Sequence, residues 1–280
     1  MLSGSPFKGK FYMVTGGGSG LGLEISRKLA SYGANIYILG RDREKLAGAK
    51  KLIEESGTEC NFFPVDIREF EQVRKIVDDI FSSSGMDGLV NNAAGNFISR
   101  TEDLSMNAFL SVINIVMNGS INITLETGKR WIESKRKGVV LSILTTYAET
   151  GSAYVIPSAA AKGGLSTFTR SIAVEWGPKG IRANGIAPGP FKTEGAWKNL
   201  IPDQSFEDYL IKKNPSRRLG TTEEISELAA YLLSDFSSFI NGEVIRIDGG
   251  EYLRGAGEFN DLSMLPEDVW DRMKERRKKQ

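Results

Sequence analysis

An α/β fold, a single Rossmann-type doubly wound parallel sheet of about seven strands with helices on both faces, is predicted by three observations. Short apolar runs alternate with amphipathic stretches along most of the chain. The first run, KFYMVT from Lys10 to Thr15, passes straight into a glycine turn, TGGGSGLG, that opens a helix. The remaining polar and glycine-rich motifs fall at the carboxyl ends of later runs, where open sheets of this kind bind ligands.

In chain order, Leu21, Ile25 and Leu29 recur at four-residue spacing and Gly33 stops that first helix. Asn35 to Leu39 is the second strand and closes a βαβ unit. A charged helix from about Arg43 to Glu55 leads to a third strand ending at Asp66. Val73, Ile76, Val77 and Ile80 mark the next helix. Gly88 to Asn91 opens the fourth strand, which ends in NNAAG, and a long helix from about Asn107 to Trp131 precedes the fifth, GVVLSIL. Pro157 to Trp176 is helical and IRANGIA is the sixth strand. An irregular segment, 189 to 218, is the expected lid over a substrate. Thr221 with Glu224 forms a capping box that starts a helix to Leu233, and EVIRID is the seventh strand. The extension over 251–280 is an interface or a wall of the pocket. With no repeat and no linker, the 280 residues, 40% hydrophobic, are expected to form one domain.

Composition excludes several function classes. Lys and Arg number 36 against 35 Asp and Glu, so no global field argues for nucleic acid, and the basic KERRKKQ is expected to be a solvated helix end. The single Cys60 rules out an internal disulfide and is expected to be a buried structural thiol. No metal site is expected. No apolar run is expected to be long enough for a membrane span, and MLSGSPFKGK lacks secretion or transit character. The expectation is a soluble, cytoplasmic protein, with the mitochondrial matrix left open should a presequence precede the chain.

The glycine turn carries the first piece of chemistry. Gly16 permits the tight turn, Gly20 and Gly22 let a pyrophosphate and the helix come close, and the helix N-terminus offers unpaired N–H groups to the anion. At the end of the second strand stands Arg41, not an acidic residue, which suits a 2′-phosphate and predicts NADP(H). Asp42 leaves open an ion pair with Arg41 or a contact to the ribose itself. The second piece is LSILTTYAETGSAYVIPSAAAK, with Tyr147 and Lys162 on opposite sides of a Gly/Ser turn. In a chain without His these are prominent acid/base candidates.

TGGGSGLG, NNAAG, the Lys162 helix and Pro188-Gly189 together resemble the short-chain dehydrogenase/reductase family over about Lys10 to Gly250. More narrowly, NNAAGNFIS, TTYAETGS, SAAAK, EWGPKG, APGPFKTEG, RLGT and EFNDL resemble the mitochondrial-type NADPH-dependent 2,4-dienoyl-CoA reductases. The resemblance implies that Thr15, Gly16, Gly18, Ser19, Gly20, Leu21 and Gly22 surround the pyrophosphate. Arg41 would hold the 2′-phosphate, Asp66 the adenine region, and Asn92, Ala93 and Gly95 the adenosine and ribose path. Lys162 would hold the nicotinamide ribose, and Pro188, Gly189, Pro190 and Phe191 the carboxamide. It further implies an acyl-CoA thioester substrate, a place in unsaturated fatty acid β-oxidation, and a homotetramer.

The general family places Tyr four residues before the Lys and Asn three before the Gly that here is Gly119, where this chain has Ser158 and Val116. The subgroup makes the same departure and matches Tyr147 and Asn96. Hydride delivered to the far end of a conjugated thioester builds negative charge on the thioester oxygen, so donors are needed there, as in an oxyanion hole. Tyr147 and Asn96 are the expected donors, with Ser158 orienting Tyr147 or Lys162 or simply filling space. Water is the expected source of the α-carbon proton. Arg68, Phe97 and Ser105 match residues that touch substrate in the subgroup, while Lys198 and Lys192 are candidates by charge alone. Two rival readings remain: a carbonyl or β-ketoacyl thioester reductase with Tyr147 as acid, and a catalytically silent NADPH-binding sensor or scaffold.

Overall fold

The structure is a computed structural model describing residues 4–278 apart from 194, 196, 198, 199 and 202. Its centre is a seven-stranded parallel sheet in the order β3-β2-β1-β4-β5-β6-β7. The strands are β1 Phe11–Thr15, β2 Asn35–Gly40, β3 Cys60–Pro64, β4 Gly88–Asn91, β5 Gly138–Ile143, β6 Ile181–Pro188 and β7 Val244–Ile247. Successive side chains on a strand point to opposite faces, so each strand supplies two cores. Tyr12, Val14, Ile36 and Ile38 pack on one face with Ile25, Leu29, Leu46 and Ile225. Met13, Tyr37, Leu39 and Leu89 pack on the other with Val73, Val77, Ile123, Trp131 and Ile172. Helices α1 Gly20–Ser31, α2 Arg43–Glu54 and Thr222–Leu233 therefore cover the first face; α3 Phe70–Ser83, Gly119–Glu133 and Ile156–Trp176 cover the second.

The chain crosses in opposite directions from β1, to β2 and to β4, and this switch point opens a crevice beyond their carboxyl ends. The capping box is formed: Thr221 Oγ1 accepts from Glu224 N, and the Glu224 carboxylate accepts from Thr221 N at 2.9 Å. Cys60 is buried, and burial pushes its thiol up to about 12.

Two expectations are corrected. The segment 189–218 is not irregular throughout: Asp203 caps a helix, Gln204–Lys213, by accepting from Phe206 N at 3.0 Å. The run Met106–Glu133 is long and apolar enough, by length and composition, to cross a membrane, with one third of its most apolar window buried. No charged residue occurs between Asp103 and Glu126, so over that stretch its polarity comes from Asn, Ser and Thr, and charge enters only in the last turns at Glu126, Lys129, Arg130 and Glu133. Within it, Asn114–Asn118 forms a π-helical turn whose Val116 packs against the Lys162 helix at Ala161.

Candidate active site

The cleft at the switch point has a volume of about 950 Å³. Its wide end is shaped by the glycine turn. Gly16 sits at φ +67°, and a Cβ there would press on Ala93 and Asn92 at 3.0 Å. At Gly22 a Cβ would lie 2.4 Å from both Gly16 O and Asn92 Nδ2, so the helix can approach the turn only without a side chain. Ser19, the N-cap of α1, makes no side-chain cap hydrogen bond, and no acid stands in the first turn. The amides of that turn are thus offered to the cleft with the positive end of the helix dipole behind them. A dinucleotide pyrophosphate fits this arrangement.

Thr15 secures the neighbouring strand end. Its hydroxyl donates to Val90 O at 3.2 Å and accepts from Asn92 N and Ala93 N at 3.0 Å each, while Asn92 Nδ2 donates to Thr15 O at 3.0 Å. Arg41 lines the cleft and is exposed. Asp42 also lines the cleft, and its Oδ1 caps α2 by accepting from Glu44 N and Lys45 N at 3.1 Å, which leaves Oδ2 outside the cap.

The inner end is built from side chains. A short helix, Tyr147–Thr150, follows β5 and turns the Tyr147 hydroxyl towards Asn96 and Ser158. Asn96 Oδ1 accepts from Phe97 N at 2.9 Å, which fixes the amide so that Nδ2 donates to Tyr147 Oη at 3.4 Å. Tyr147 Oη lies 3.3 Å from the buried Ser158 Oγ. Tyr147 therefore accepts from Asn96, either hydroxyl of the Tyr147–Ser158 pair can be the donor, and among the described residues the second Asn96 N–H has no acceptor. Lys162 stands one helical turn beyond Ser158, buried, with Nζ donating to Ile143 O. Burial lowers its pKa to about 8, so it is cationic at neutral pH. Glu149 anchors the short helix: its carboxylate pairs with Arg170 at 3.0 Å and with Arg246, which stacks on the Tyr252 ring at 4.0 Å.

Comparison with known proteins fits this geometry. A family model described as enoyl-(acyl carrier protein) reductase matches residues 16–251. The chain belongs to the short-chain dehydrogenase/reductase family. It is 40% identical over 277 residues, 96% of this chain and 90% of the relative, to a probable 2,4-dienoyl-CoA reductase 3, (3E)-enoyl-CoA-producing, of Caenorhabditis elegans. It is 41% identical over 246 residues, 87% of this chain and 97% of the relative, to a probable 2,4-dienoyl-CoA reductase, (2E)-enoyl-CoA-producing, of Bacillus subtilis. A crystal structure of a short-chain dehydrogenase from Bacillus anthracis superposes with TM-score 0.80 at 41% identity, covering 87% of this chain and 97% of that one. A gluconate 5-dehydrogenase from Burkholderia cenocepacia, solved with NADP and tartrate, gives TM-score 0.82 at 30% identity, covering 88% and 96%. The protein is an oxidoreductase, and among these neighbours the gluconate 5-dehydrogenase holds NADP.

Of the residues singled out from the sequence of this short-chain dehydrogenase/reductase, Gly16, Gly18, Ser19, Leu21, Arg41, Asp66, Asn92, Ala93, Gly95, Asn96, Tyr147, Ser158, Lys162 and Pro188 to Phe191 all line one cleft. Thr15, Gly20 and Gly22 stand behind that lining. Arg68, Phe97 and Ser105 lie outside it. Arg68 grips Asp66 through Nε and Nη2, 2.6 Å at the closest, and holds that carboxyl below its usual range. Phe97 packs into the cluster of Val112, Val116 and Ala161, and Ser105 caps Met106–Ile113 by accepting from Ala108 N at 3.2 Å. Lys192 is paired with the buried Glu207 at 2.9 Å, which also accepts from Trp197 Nε1 at 2.6 Å; Lys198 falls outside the described residues. Sequence reasoning missed Thr193, Trp197, Leu200, Ile201, Leu210 and Glu251 as cleft residues. The apolar and aromatic content of a proline-punctuated segment was the only signal for most of them.

Proposed function

We propose that the protein is an NADPH-dependent reductase of 2,4-dienoyl-CoA thioesters, yielding 3-enoyl-CoA in the oxidation of unsaturated fatty acids. The observation that carries this reading is the Tyr147 hydroxyl held between Asn96 at 3.4 Å and Ser158 at 3.3 Å inside the dinucleotide cleft. Two uncharged donors side by side suit an oxygen that gains charge without taking a full proton, as a thioester oxygen does when the conjugated chain accepts hydride. The relatives' names and the enoyl-reductase family description favour a conjugated thioester over a ketone.

When bound, NADPH would supply the hydride. The glycine turn and α1 N-terminus would hold its pyrophosphate, Arg41 its 2′-phosphate, and Pro188 to Phe191 its carboxamide. Lys162, with one N–H committed to Ile143 O, has two left for the nicotinamide ribose hydroxyls, and its charge favours the dienolate. Tyr147 and Asn96 donate to the thioester oxygen, and Ser158 orients Tyr147. The segment 189–218 closes over the acyl-CoA, with Trp197, Leu200, Ile201 and Leu210 giving the acyl chain an apolar wall. We also propose the homotetramer, supported by Met106, Leu110 and Leu125, which leave apolar surface exposed along one long helix.

The test is turnover of a dienoyl-CoA measured with NADPH and with NADH. NADPH-dependent loss of the dienoyl chromophore supports the reading. Turnover of ketones alone would replace it with the carbonyl reductase, and a sedimenting monomer would remove the tetramer.

A further inference from the structure

One buried charge beside the cleft has no part in the reduction as described. Glu207, on the helix Gln204–Lys213, is only 8% exposed. Its carboxylate accepts from Lys192 Nζ at 2.9 Å on each oxygen and from Trp197 Nε1 at 2.6 Å, so both oxygens are engaged. Lys192, and Trp197 with it, hold the carboxyl below its usual range, and it is ionised at neutral pH.

Taking a carboxylate out of water is costly, and a buried ion pair is weak evidence of added stability. What the arrangement does fix is direction. Trp197 lines the cleft while its indole N–H is committed to Glu207, so the ring is held in one orientation against that wall. Lys192 Nζ stands 6.0 Å from the centroid of the same ring. Trp197 N donates to Thr193 O at 2.9 Å and Ile201 N to Trp197 O at 3.0 Å, and Thr193 and Ile201 line the cleft too. Leu210, three residues beyond Glu207 on its helix, is a further lining residue. Lys192 lies between Phe191 and Thr193, and Thr193 reaches the glycine turn, its Cβ 3.7 Å from where a Cβ on Gly20 would stand. One carboxylate thus joins the stretch that meets the glycine turn, the indole in the wall and the helix that supplies Leu210.

Resting on the dienoyl-CoA reading above, we infer that Glu207 is a positioning residue that sets the acyl subsite: by fixing the Trp197 indole it gives the acyl chain a rigid wall and makes chain length count in binding. It acts through Trp197 and not on the reacting atoms. A fixed wall touches a long chain over more of its length than a short one, and it contributes alike to the ground state and the transition state. Its loss should therefore appear in KM, and more for long chains than for short ones.

The experiment uses the full chain with NADPH and compares 2,4-hexadienoyl-CoA with 2,4-decadienoyl-CoA for wild type, Glu207→Leu, Glu207→Gln, Trp197→Phe and the double variant Glu207→Leu with Trp197→Phe. Glu207→Leu should raise KM about 10-fold for the decadienoyl substrate and less than about threefold for the hexadienoyl one, with kcat within about threefold of wild type on both. Glu207→Gln keeps an amide oxygen for the indole N–H and should recover most of that loss. Trp197→Phe lacks the N–H and should behave as Glu207→Leu does, and the double variant should be no worse than either, because the two side chains act as one unit. A general loosening of the fold would instead move kcat, the Kd for NADPH and both substrates alike. Wild-type KM values in a folded Glu207→Leu overturn the inference, as do equal losses on both substrates or additive losses in the double variant. Should Glu207→Leu fail to fold, Trp197→Phe decides: wild-type KM values there overturn the inference, and a KM rise confined to the longer chain supports it. A wild-type protein inactive on both dienoyl-CoA substrates overturns the underlying reading and the inference with it, so the two failures are told apart.

Discussion

The two ends of the cleft are made in different ways. The end that fits the dinucleotide is mostly backbone: a glycine turn, the first amides of α1, and a strand end pinned by Thr15. The end proposed for the substrate is side chains brought from distant parts of the chain, with Asn96 after β4, Tyr147 after β5, and Ser158 and Lys162 on the following helix. Backbone geometry tolerates no side chain at a close approach, whereas side-chain geometry tolerates relocation. On the proposed reading this makes a Ser at 158 compatible with a working site, because the hydroxyl needed is supplied by Tyr147, which lies 3.3 Å from Ser158 Oγ and 3.4 Å from Asn96 Nδ2.

Breaking the side-chain end should cost the most. Tyr147→Phe combined with Asn96→Ala removes both donors and should lower kcat by at least about 10³-fold while the Kd for NADPH stays within a factor of two or so, read by stopped-flow and nucleotide titration. Gly22→Ala attacks the other end by setting a methyl against Gly16 O at 2.4 Å. It should weaken NADPH binding by about 100-fold and lower the Tm, since overpacking a fixed backbone costs roughly 1–3 kcal/mol. Equal loss in kcat and in nucleotide affinity from either change would erase the distinction between the ends.

Arg41→Leu sharpens the comparison within the cofactor end. Loss of one charge-assisted contact, worth about 1.5–3 kcal/mol, should reduce the preference for NADPH over NADH by roughly 10- to 100-fold, measured as the ratio of kcat/KM values. Lys162 gives the pH signature that joins the two ends. Its pKa is lowered to about 8, so its charge, present below that pH, is lost above it, and kcat should fall about tenfold per pH unit once past it. The stability sign is the reverse, because the unfolded chain keeps its proton longer than the native state. The Tm should rise slightly between pH 8 and the ordinary Lys value of 10.5. The smallest effect is expected from Glu149→Gln. Loosening the Arg170 and Arg246 anchors of the Tyr147 helix should lower kcat about threefold to tenfold, consistent with weak individual exposed ion pairs, with Kd for NADPH unmoved.

The same division governs what could be read from the sequence. The strand–glycine–helix order made the sheet and the phosphate turn legible, because those features are local and their spacing is enforced by backbone geometry. Tyr147 and Asn96 were legible through their motifs. Their meeting with Ser158, and the Asn96 amide fixed by Phe97 N, depended on how two strand ends and a helix converge. Arg68 was assigned to substrate although Asp66 lies two residues away and captures its guanidinium, a contact decided by rotamer direction. Asp42 gave the opposite lesson, since a capping carboxylate before a helix is a local signal that was open to reading beside the ribose alternative. The Gln204–Lys213 helix was obscured by flanking prolines and its exposed, charged surface. The extension after β7 was open between an interface and a pocket wall, and Glu251 in the cleft lining places its first residue at the wall, which no local pattern could single out.

The position of β7 has a consequence for how the enzyme comes into being. Among the described strands it pairs with β6 alone, at the edge of the sheet opposite β3, and it is the last of the seven to be synthesised. A domain folds as a unit, so the sheet can close only after β7 has been synthesised. The cleft is lined by residues from Gly16 through to Glu251, on both sides of that last edge. Affinity for the nucleotide is therefore expected to arise late in synthesis, together with the substrate end and not ahead of it.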